Sequence, residues 1–209
     1  QDLLSEISDR NRVILDPPYH WRHYRQASNA VWFAETTNVL SWILFPLAKL
    51  RVAGEQACLR RMSKAVAAWL AAVYGEDMEV AEIINREAAR IARSVPAYRL
   101  MLRWLRPRKI LMLVSYGREA LVFVARSYGI LTVEVQHGVI SPEHLGYAVP
   151  EGRTKGSFPD FILTFGTYWN ESVPWSVSGD KTIAVGYPYF DRFRRLCQNP
   201  ERAYRVVFV

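Results

Sequence analysis

The chain has 209 residues, of which 50% are hydrophobic and 22% are charged, a composition that excludes intrinsic disorder and predicts a globular protein with a sizeable core. The net charge of +7 favours anionic partners such as nucleotide diphosphates, nucleic acid or acidic lipid headgroups, without choosing among them. Cys58 and Cys197 have no metal-binding spacing, and the longest apolar stretch, residues 39–48, is far shorter than the roughly 20 residues of a spanning helix, so zinc sites and membrane crossing are not indicated.

The chain opens with signals for two short strands. Residues 12–16 are rich in β-branched and apolar side chains and end at Pro17, which predicts a first strand with a stop signal. Residues 30–33 predict a second strand. Between them lies a loop dense in aromatic and basic groups, including His20 beside Trp21. This loop suits either an aromatic platform for a sugar ring or ordinary packing.

Helical spacing dominates the next part of the chain. The apolar segment 40–50 is interrupted by a proline, and from Glu55 onward apolar residues recur at helical intervals. Three helices are predicted, over residues 55–75, 78–94 and 97–105. Gly75 is the signal that ends the first, and Pro96 precedes the third. In the second of them, arginines recur along one face, at positions 86, 90 and 93. They could meet phosphate or a membrane, but such a stripe is more often a solvated face.

The second half of the chain alternates strands with helices. Four strands are predicted, over residues 109–114, 130–135, 161–165 and 182–185. The first is a continuous apolar run, as expected for a strand buried on both faces of a parallel sheet. A helix over 118–127 closed by Gly129, and a short helix capped by Thr167, fill the connections. The alternation predicts an α/β fold with a doubly wound, Rossmann-like parallel sheet, right-handed crossovers and extra helices in the first half.

Parallel strands gather their ligand-binding loops at one edge. In open α/β sheets, ligands bind outside the carboxyl ends of the strands, so the strand ends define a candidate rim. The segments expected there are residues 16–23, 115–117, 136–138, 166–167 and 186–187.

His137 is the strongest candidate for chemistry on this rim. It follows a buried strand, and a histidine held in one tautomer there could deprotonate a sugar hydroxyl before attack on an anomeric carbon. Gly138 beside it allows close approach of a ligand or of backbone. The alternatives are a ligand-contacting role in the cleft and a purely structural role in the turn.

A long polar loop, residues 139–159, follows this histidine and is expected to cover or line the cleft. It contains His144, a possible second base, and Tyr147. Arg153 and Lys155 are expected to face solvent. The complete set of predicted substrate-binding residues is Ser115, Tyr116, Gly117, Gln136, Gly138, His144, Tyr147 and His20. The turn 115–117 could offer backbone N–H groups to an anion or a sugar, but it lacks the glycine pattern of a dinucleotide site.

Three ordered motifs in this half resemble a known group of enzymes. They are Val-Gln-His-Gly (135–138), Pro-Asp-Phe-Ile-Leu-Thr-Phe-Gly (159–166) and Val-Gly-Tyr-Pro-Tyr-Phe-Asp (185–191). Their order resembles the N-terminal lobe of GT-B-fold glycosyltransferases of capsule and lipopolysaccharide assembly. It is more distantly similar to glycerophosphate polymerases of teichoic acid synthesis and to UDP-N-acetylglucosamine 2-epimerase. The resemblance spans residues 109–191.

The resemblance implies an acceptor-side lobe over residues 1–191, followed in 192–209 by a linker and the start of a C-terminal nucleotide-binding lobe that the chain lacks. It makes His137 the acceptor-side base or acceptor contact, and Gly186, Pro188 and Asp191 the hinge. The reaction implied is sugar transfer from a nucleotide-sugar to a glycan or lipid-linked glycan, without a metal, a resident cofactor or nucleic acid. The expected location is the cytoplasm, with peripheral contact to the inner membrane left open.

Two alternatives stay open from the sequence. The same scaffold could serve a nucleotide-sugar 2-epimerase or a glycerophosphotransferase. A non-catalytic nucleic-acid-binding module could instead use Arg86, Arg90 and Arg93, and its affinity would then fall steeply with salt.

Overall fold

The computed structural model describes residues 13–16, 31–75, 80–147 and 156–187, without side-chain detail for residues 16 and 47–56. The chain divides into two compact units, Gln1–Pro107 and Arg108–Val209. The boundary predicted near residues 191 and 192 lies outside the described residues. Each unit is described in turn.

The first unit combines a small parallel sheet with two long helices. Strand β1 (Ile14–Asp16) pairs in parallel with β2 (Val31–Phe33), which confirms both predicted strands. Helix α1 follows directly as Ala34–Tyr74 and ends at Gly75, whose left-handed φ of 73° closes the helix. Its N–H donates to the carbonyl oxygen of Ala71 at 2.9 Å. A glycine adopts this conformation without the steric cost that a Cβ imposes.

Two prolines lie inside helices: Pro46, which interrupts the apolar segment 40–50, and Pro96, which was predicted to separate two helices. Helix α1 begins 21 residues before the predicted start at Glu55 and contains Pro46, and α2 is a single helix, Val80–Leu105, that contains Pro96. The predicted break between residues 94 and 97 is therefore wrong. A proline removes one backbone hydrogen bond and crowds the preceding turn, but the remaining hydrogen bonds of the helix and packing between α1 and α2 hold each helix together.

A few partly buried side-chain contacts stabilise the first unit. The Trp32 indole donates to the Thr37 hydroxyl at 2.9 Å and lies 5.3 Å, between ring centroids, from Trp104 on α2. Further along, the Asn85 amide of α2 donates to the Ser63 hydroxyl of α1 at 3.1 Å. The apolar stripe of α1 is largely solvent-exposed, with Trp69 62% exposed. Helix pairing therefore depends on a narrow seam that includes polar groups.

The predicted arginine face does not form a free basic stripe. Arg86 is exposed, but the Arg90 guanidinium pairs with Glu87 at 2.7 Å on the same helix. The Arg93 guanidinium lies 4.1 Å from the ring centroid of Trp42, a cation–π contact between α2 and α1. Two of the three arginines thus have partners within their own unit.

The second unit is an α/β domain, as predicted. It runs β3 (Lys109–Met112), α3 (Glu119–Ser127), β4 (Leu131–Val135), β5 (Phe161–Thr164), α4 (Thr167–Ser172), a 3₁₀ turn (Gly179–Lys181) and β6 (Thr182–Ala184). The strands form one parallel sheet in the order β3-β4-β5-β6. The order does not reverse among the described strands, so the doubly wound arrangement stays a prediction.

The two faces of this sheet differ in burial. Glu134 and Ile162 are register partners on one face and are both buried. On the other face Leu111 is 45% exposed and Ile183 is 43% exposed. The prediction that β3 is buried on both faces is therefore wrong within the described structure. Apolar content alone could not reveal this, because it does not distinguish one covered face from two.

Two predicted helix-end signals have different outcomes. Gly129, with φ of 66°, follows the last turn of α3 and accommodates the reversal into β4, as its position in the sequence indicated. Thr167, predicted to cap α4, is instead the first residue of the helix. Gly166 occupies the capping position, and no side chain caps the helix. Thr164 on β5 bonds into α4 through Asn170 instead.

Asp160 joins the starts of the two central strands. Its Oδ2 atom accepts hydrogen bonds from the Thr132 backbone N–H and hydroxyl, both at 2.8 Å. Arg126 of α3 lies 3.6 Å from the same carboxylate and donates to the carbonyl oxygens of Gly156 and Phe158 at 2.6 and 2.7 Å. These bonds fix where the chain re-enters the sheet after the long loop.

No helix in the described part of the chain has both the length and the apolar character needed to span a bilayer.

Candidate functional site

The candidate site lies where β4 ends and its following loop folds back. Because the four strands are parallel, the segments after Met112, Val135, Thr164 and Ala184 lie at one edge of the sheet. Hydrogen bonds continue past the strand ends, from Gln136 N to Leu163 O at 2.8 Å and from Val185 N to Thr164 O at 2.9 Å. The rim predicted from the strand order is present in the second unit.

One predicted rim segment, residues 16–23, follows a strand of the other sheet. Strand β1 pairs with β2 in a separate two-stranded sheet, so residue 16 does not end a strand of the four-stranded sheet. The expectation for residues 16–23 depended on that strand being part of the larger sheet, which it is not, and residues 17–23 lie outside the described residues. His20, predicted to contact substrate, lies outside the described residues.

Four of the predicted site residues form a cluster of rings. Tyr116, from the turn after β3, lies 6.2 Å from His137, 5.6 Å from His144 and 5.6 Å from Tyr147 between ring centroids. Tyr147 lies 6.3 Å from His137 and 4.9 Å from His144. Residues from three separate segments therefore meet, and we call these four residues the ring cluster.

A buried carboxylate lies beneath the ring cluster. Glu134 on β4 is 1% exposed and accepts a hydrogen bond from the hydroxyl of Tyr147, which is 0% exposed. Burial, together with this bond and the charge of Glu134, raises the pKa of the Tyr147 hydroxyl well above its ordinary value. The phenol therefore keeps its proton at physiological pH. The same hydroxyl oxygen lies 3.5 Å from Nδ1 of His137, whose side chain is exposed.

Glu134 is the site residue that sequence reasoning missed. The sequence signal was present, since it is the one charged residue of β4, Leu131–Val135. A carboxylate in a buried strand is costly unless it has a hydrogen-bond partner. That cost would have singled out Glu134 as a position with a specific role.

The long loop returns to the sheet through an apolar cluster. Its buried members are Ile140, Tyr147, Phe158, Ile162 and Val173. The Tyr147 ring makes edge contacts with Phe158 at 6.2 Å and with Trp175 at 5.5 Å. The described parts of the loop thus hold one wall of the ring cluster in place. Arg153 and Lys155, expected to face solvent, lie outside the described residues.

His144 and Gly146 form a tight turn beside Tyr116. The Gly146 N–H donates to Nδ1 of His144 at 3.1 Å. A Cβ at position 146 would lie 2.8 Å from Cδ1 of Tyr116 and 3.0 Å from Cε1 of His144. The packing of these rings therefore requires a residue without a side chain here.

Gln136 and Ser115 are buried rather than displayed. The Gln136 amide donates to the Gly138 carbonyl oxygen and accepts from the Phe165 N–H, both at 2.8 Å, and so joins the ends of β4 and β5. Ser115 is buried as well. Their predicted contacts with substrate stay predictions, and in this structure Gln136 shapes the rim from within.

The turn at Ser115–Gly117 bonds within its own segment. Gly117, with φ of 78°, donates its N–H to Oε1 of Glu119 at 2.8 Å, and the Arg118 N–H donates to the Ser115 carbonyl oxygen at 2.9 Å. The Gly117 N–H, which was predicted to be able to bind an anion or a sugar, is therefore bonded to the Glu119 carboxylate instead. Tyr116 is the member of this turn that joins the ring cluster.

The predicted hinge is described only at its first residue. Gly186 adopts φ of 83°, a conformation that favours glycine, and the neighbouring Tyr187 ring lies 4.4 Å from that of Phe165. Pro188 and Asp191 lie outside the described residues.

The described residues contain no group of three or more His, Cys, Asp or Glu side chains that could hold a metal ion. The chain matches no protein-family model, no curated protein and no solved structure. Functional inference therefore depends on the geometry of the ring cluster and its surroundings.

Proposed function

We propose that this chain is the acceptor-side lobe of a glycosyltransferase, in which His137 is the base that activates an acceptor hydroxyl. One observation carries the proposal: Tyr116, His137, His144 and Tyr147, from three segments, meet in one ring cluster at the carboxyl edge of a parallel sheet. That edge is where open α/β folds bind ligands. The finer architecture, one lobe of a GT-B enzyme with a doubly wound sheet, is part of this proposal.

The chemistry of the cluster supports a base acting on an uncharged group. The exposed imidazole of His137 is a side chain that can accept the proton of a hydroxyl group. Tyr116, which is 38% exposed, offers an aromatic face next to it, a surface on which a sugar ring can lie. The nucleotide-sugar donor would be held by a second lobe, and positioning of donor and acceptor would supply much of the rate.

The nucleic-acid alternative has less support. It needs an accessible basic stripe on α2, whereas Arg90 pairs with Glu87 and Arg93 packs on Trp42. The epimerase and glycerophosphotransferase alternatives use the same scaffold, and product analysis separates them. An epimerase converts a nucleotide-sugar without any acceptor, and a glycerophosphotransferase leaves nucleotide-sugars unchanged.

The test is a transfer assay on the full-length protein that contains this chain. Release of nucleotide from a panel of nucleotide-sugars is measured with and without glycan acceptors. We expect acceptor-dependent release, which His137→Ala lowers by a factor of about 10² or more, the scale of general-base loss. Lys181→Ala, at an exposed position of the 3₁₀ turn, is the matched control and keeps full activity. Equal rates in His137→Ala and the control would overturn the assignment of the base.

A further inference from the structure

Three side chains follow one another from the sheet interior to the surface. Glu134 lies in the interior, the Tyr147 hydroxyl donates its proton to Glu134 Oε1, and the oxygen of that hydroxyl lies 3.5 Å from His137 Nδ1. At this length the contact with His137 is at the outer limit of a hydrogen bond. It still orients the ring, because the hydroxyl dipole is fixed by its bond to the carboxylate.

Counting protons along this chain assigns the tautomer of His137. A phenol carries one proton, and that of Tyr147 is directed to Glu134. Toward His137 the same oxygen can therefore only accept. The neutral imidazole then carries its proton on Nδ1, and Nε2 holds the free lone pair.

The same reasoning gives His144 the opposite tautomer. Its Nδ1 accepts the Gly146 N–H at 3.1 Å, so that atom cannot carry a proton. In the neutral ring the proton is on Nε2, which is a donor. Both rings lie beside Tyr116, at 6.2 and 5.6 Å between centroids.

We infer that Glu134 and Tyr147 are positioning residues that hold His137 with a proton-accepting Nε2, and that His144 presents a complementary donor. With this pair of groups the ring cluster binds an uncharged hydroxyl group of an acceptor ring that lies on Tyr116. The assignment of this hydroxyl as the acceptor of a transfer rests on the proposed function. The two tautomers do not.

The proton balance of the transfer step follows from this arrangement. His137 Nε2 takes the proton of the acceptor hydroxyl, and the oxygen of that hydroxyl forms the bond to the anomeric carbon of the nucleotide-sugar. The bond from that carbon to the diphosphate oxygen breaks, and the diphosphate leaves with the electron pair. His137 is then an imidazolium whose Nδ1–H still faces the Tyr147 oxygen, and the carboxylate of Glu134 stabilises the new positive charge through that phenol.

The buried carboxylate also selects the charge of the ligand. A second negative charge close to the ring cluster would be repelled by Glu134, and this repulsion is weakly screened at a buried site. A neutral sugar hydroxyl meets no such repulsion. The site is thus suited to a saccharide and poorly suited to a phosphate-terminated acceptor.

The tautomers are measured directly by ¹⁵N-histidine NMR of the full chain. We expect His137 to be protonated at Nδ1 and His144 at Nε2. In Tyr147→Phe the His137 preference falls at least tenfold, while His144 keeps its tautomer. Tyr168→Phe removes the hydroxyl of a 67% exposed tyrosine on α4 and leaves both unchanged. Phenylalanine fills the same volume, and circular dichroism verifies the fold of each variant.

Two results would overturn the positioning role of Glu134 and Tyr147. One is a proton on Nε2 of neutral His137 in the unmodified chain, and the other is an unchanged His137 tautomer in Tyr147→Phe. The tautomers and the proposed function fail separately. The expected tautomers in a protein without transferase activity would support the positioning role of Glu134 and Tyr147 and contradict the proposed function. Reversed tautomers in an active transferase would do the opposite.

The ligand class is tested with two probes, N-acetylglucosamine and inorganic phosphate, added at equal concentrations up to about 100 mM. We expect the sugar to shift the His137 and His144 resonances at least fivefold more than phosphate does, and Tyr116→Ala to abolish those shifts. Phosphate shifts as large as those of the sugar, or no response to the sugar, would overturn the assignment to an uncharged hydroxyl.

Discussion

Replacing Asp160 should loosen the junction between β4 and β5 by a measurable amount. The Asp160 carboxylate accepts two hydrogen bonds from Thr132, whose side chain is buried. Hydrogen bonds to a charged acceptor contribute about 1.5–3 kcal/mol each. The partly exposed ion pair with Arg126, at 3.6 Å, adds about 0–1 kcal/mol. These contributions together span about 3–7 kcal/mol. Since the Thr132 hydroxyl keeps its bond from the Asp160 N–H at 3.1 Å, we expect the cost of Asp160→Ala to lie at the lower end, about 3 kcal/mol.

Native-state amide hydrogen exchange is the appropriate assay, because it resolves the second unit from the first. A loss of about 3 kcal/mol corresponds to exchange of the most protected β4 and β5 amides about 10² times faster. Asp160→Asn keeps an acceptor oxygen and should lose about 1 kcal/mol. Asp180→Ala, at an exposed position of the 3₁₀ turn, should change exchange little. Exchange rates in Asp160→Ala within about threefold of those in the unmodified chain would refute the reasoning, because a loss of ~3 kcal/mol corresponds to a change of about 10² in rate.

Three further predictions follow from single contacts. Gly146→Ala should displace the Tyr116 and His144 rings and cost about 1–3 kcal/mol, seen as NMR shifts and faster exchange, whereas Gly156→Ala, which meets no atom within 4 Å, should be nearly neutral. Gly75→Ala should destabilise α1 by about 1 kcal/mol because φ is 73°; equal thermal stability of the two proteins would contradict this. Because folding raises its pKa, Tyr147 contributes to the free energy of unfolding. This contribution is complete below the pKa of about 10 that tyrosine has in the unfolded chain, and it is lost as pH rises above that value. Tyr147→Phe should therefore lessen alkaline destabilisation in urea titrations at pH 9–11.5, and an unchanged pH dependence would exclude that cause.

The strands of the second unit were predictable because local signals agree there. Apolar runs such as residues 110–114 end at turn residues, and the alternation with helices requires parallel pairing. The approach of His137, His144 and Tyr147 followed in part from the rule that parallel strand ends share one edge. Sequence reasoning could reach this rim because a sheet edge depends on strand direction, which the alternation fixes.

Other features depended on contacts that a linear pattern does not contain. Pro46 and Pro96 lie within helices because the rest of each helix and the packing of α1 on α2 offset one lost bond. Strand β1 pairs with β2 and not with a strand of the larger sheet, and no feature of the β1 sequence distinguishes these two partners. Glu134 and its bond to Tyr147 required knowing that a loop residue 13 positions later returns beneath the histidine.

Burial on one face of the sheet was likewise invisible in the sequence. The run Lys109–Val114 is apolar at nearly every position, yet Leu111 and Leu113 are exposed while Met112 is buried. Composition records how apolar a strand is, and burial depends on what packs against each face. This distinction matters for the site, because Glu134 lies on the buried face and His137 reaches the surface.

The most direct test is a crystal structure of the full-length protein with an acceptor saccharide bound. The account predicts a sugar ring against Tyr116, with one hydroxyl oxygen about 2.6–3.2 Å from His137 Nε2, within hydrogen-bond reach of a general base. A saccharide bound away from the ring cluster, or one whose hydroxyls all avoid His137, would contradict it.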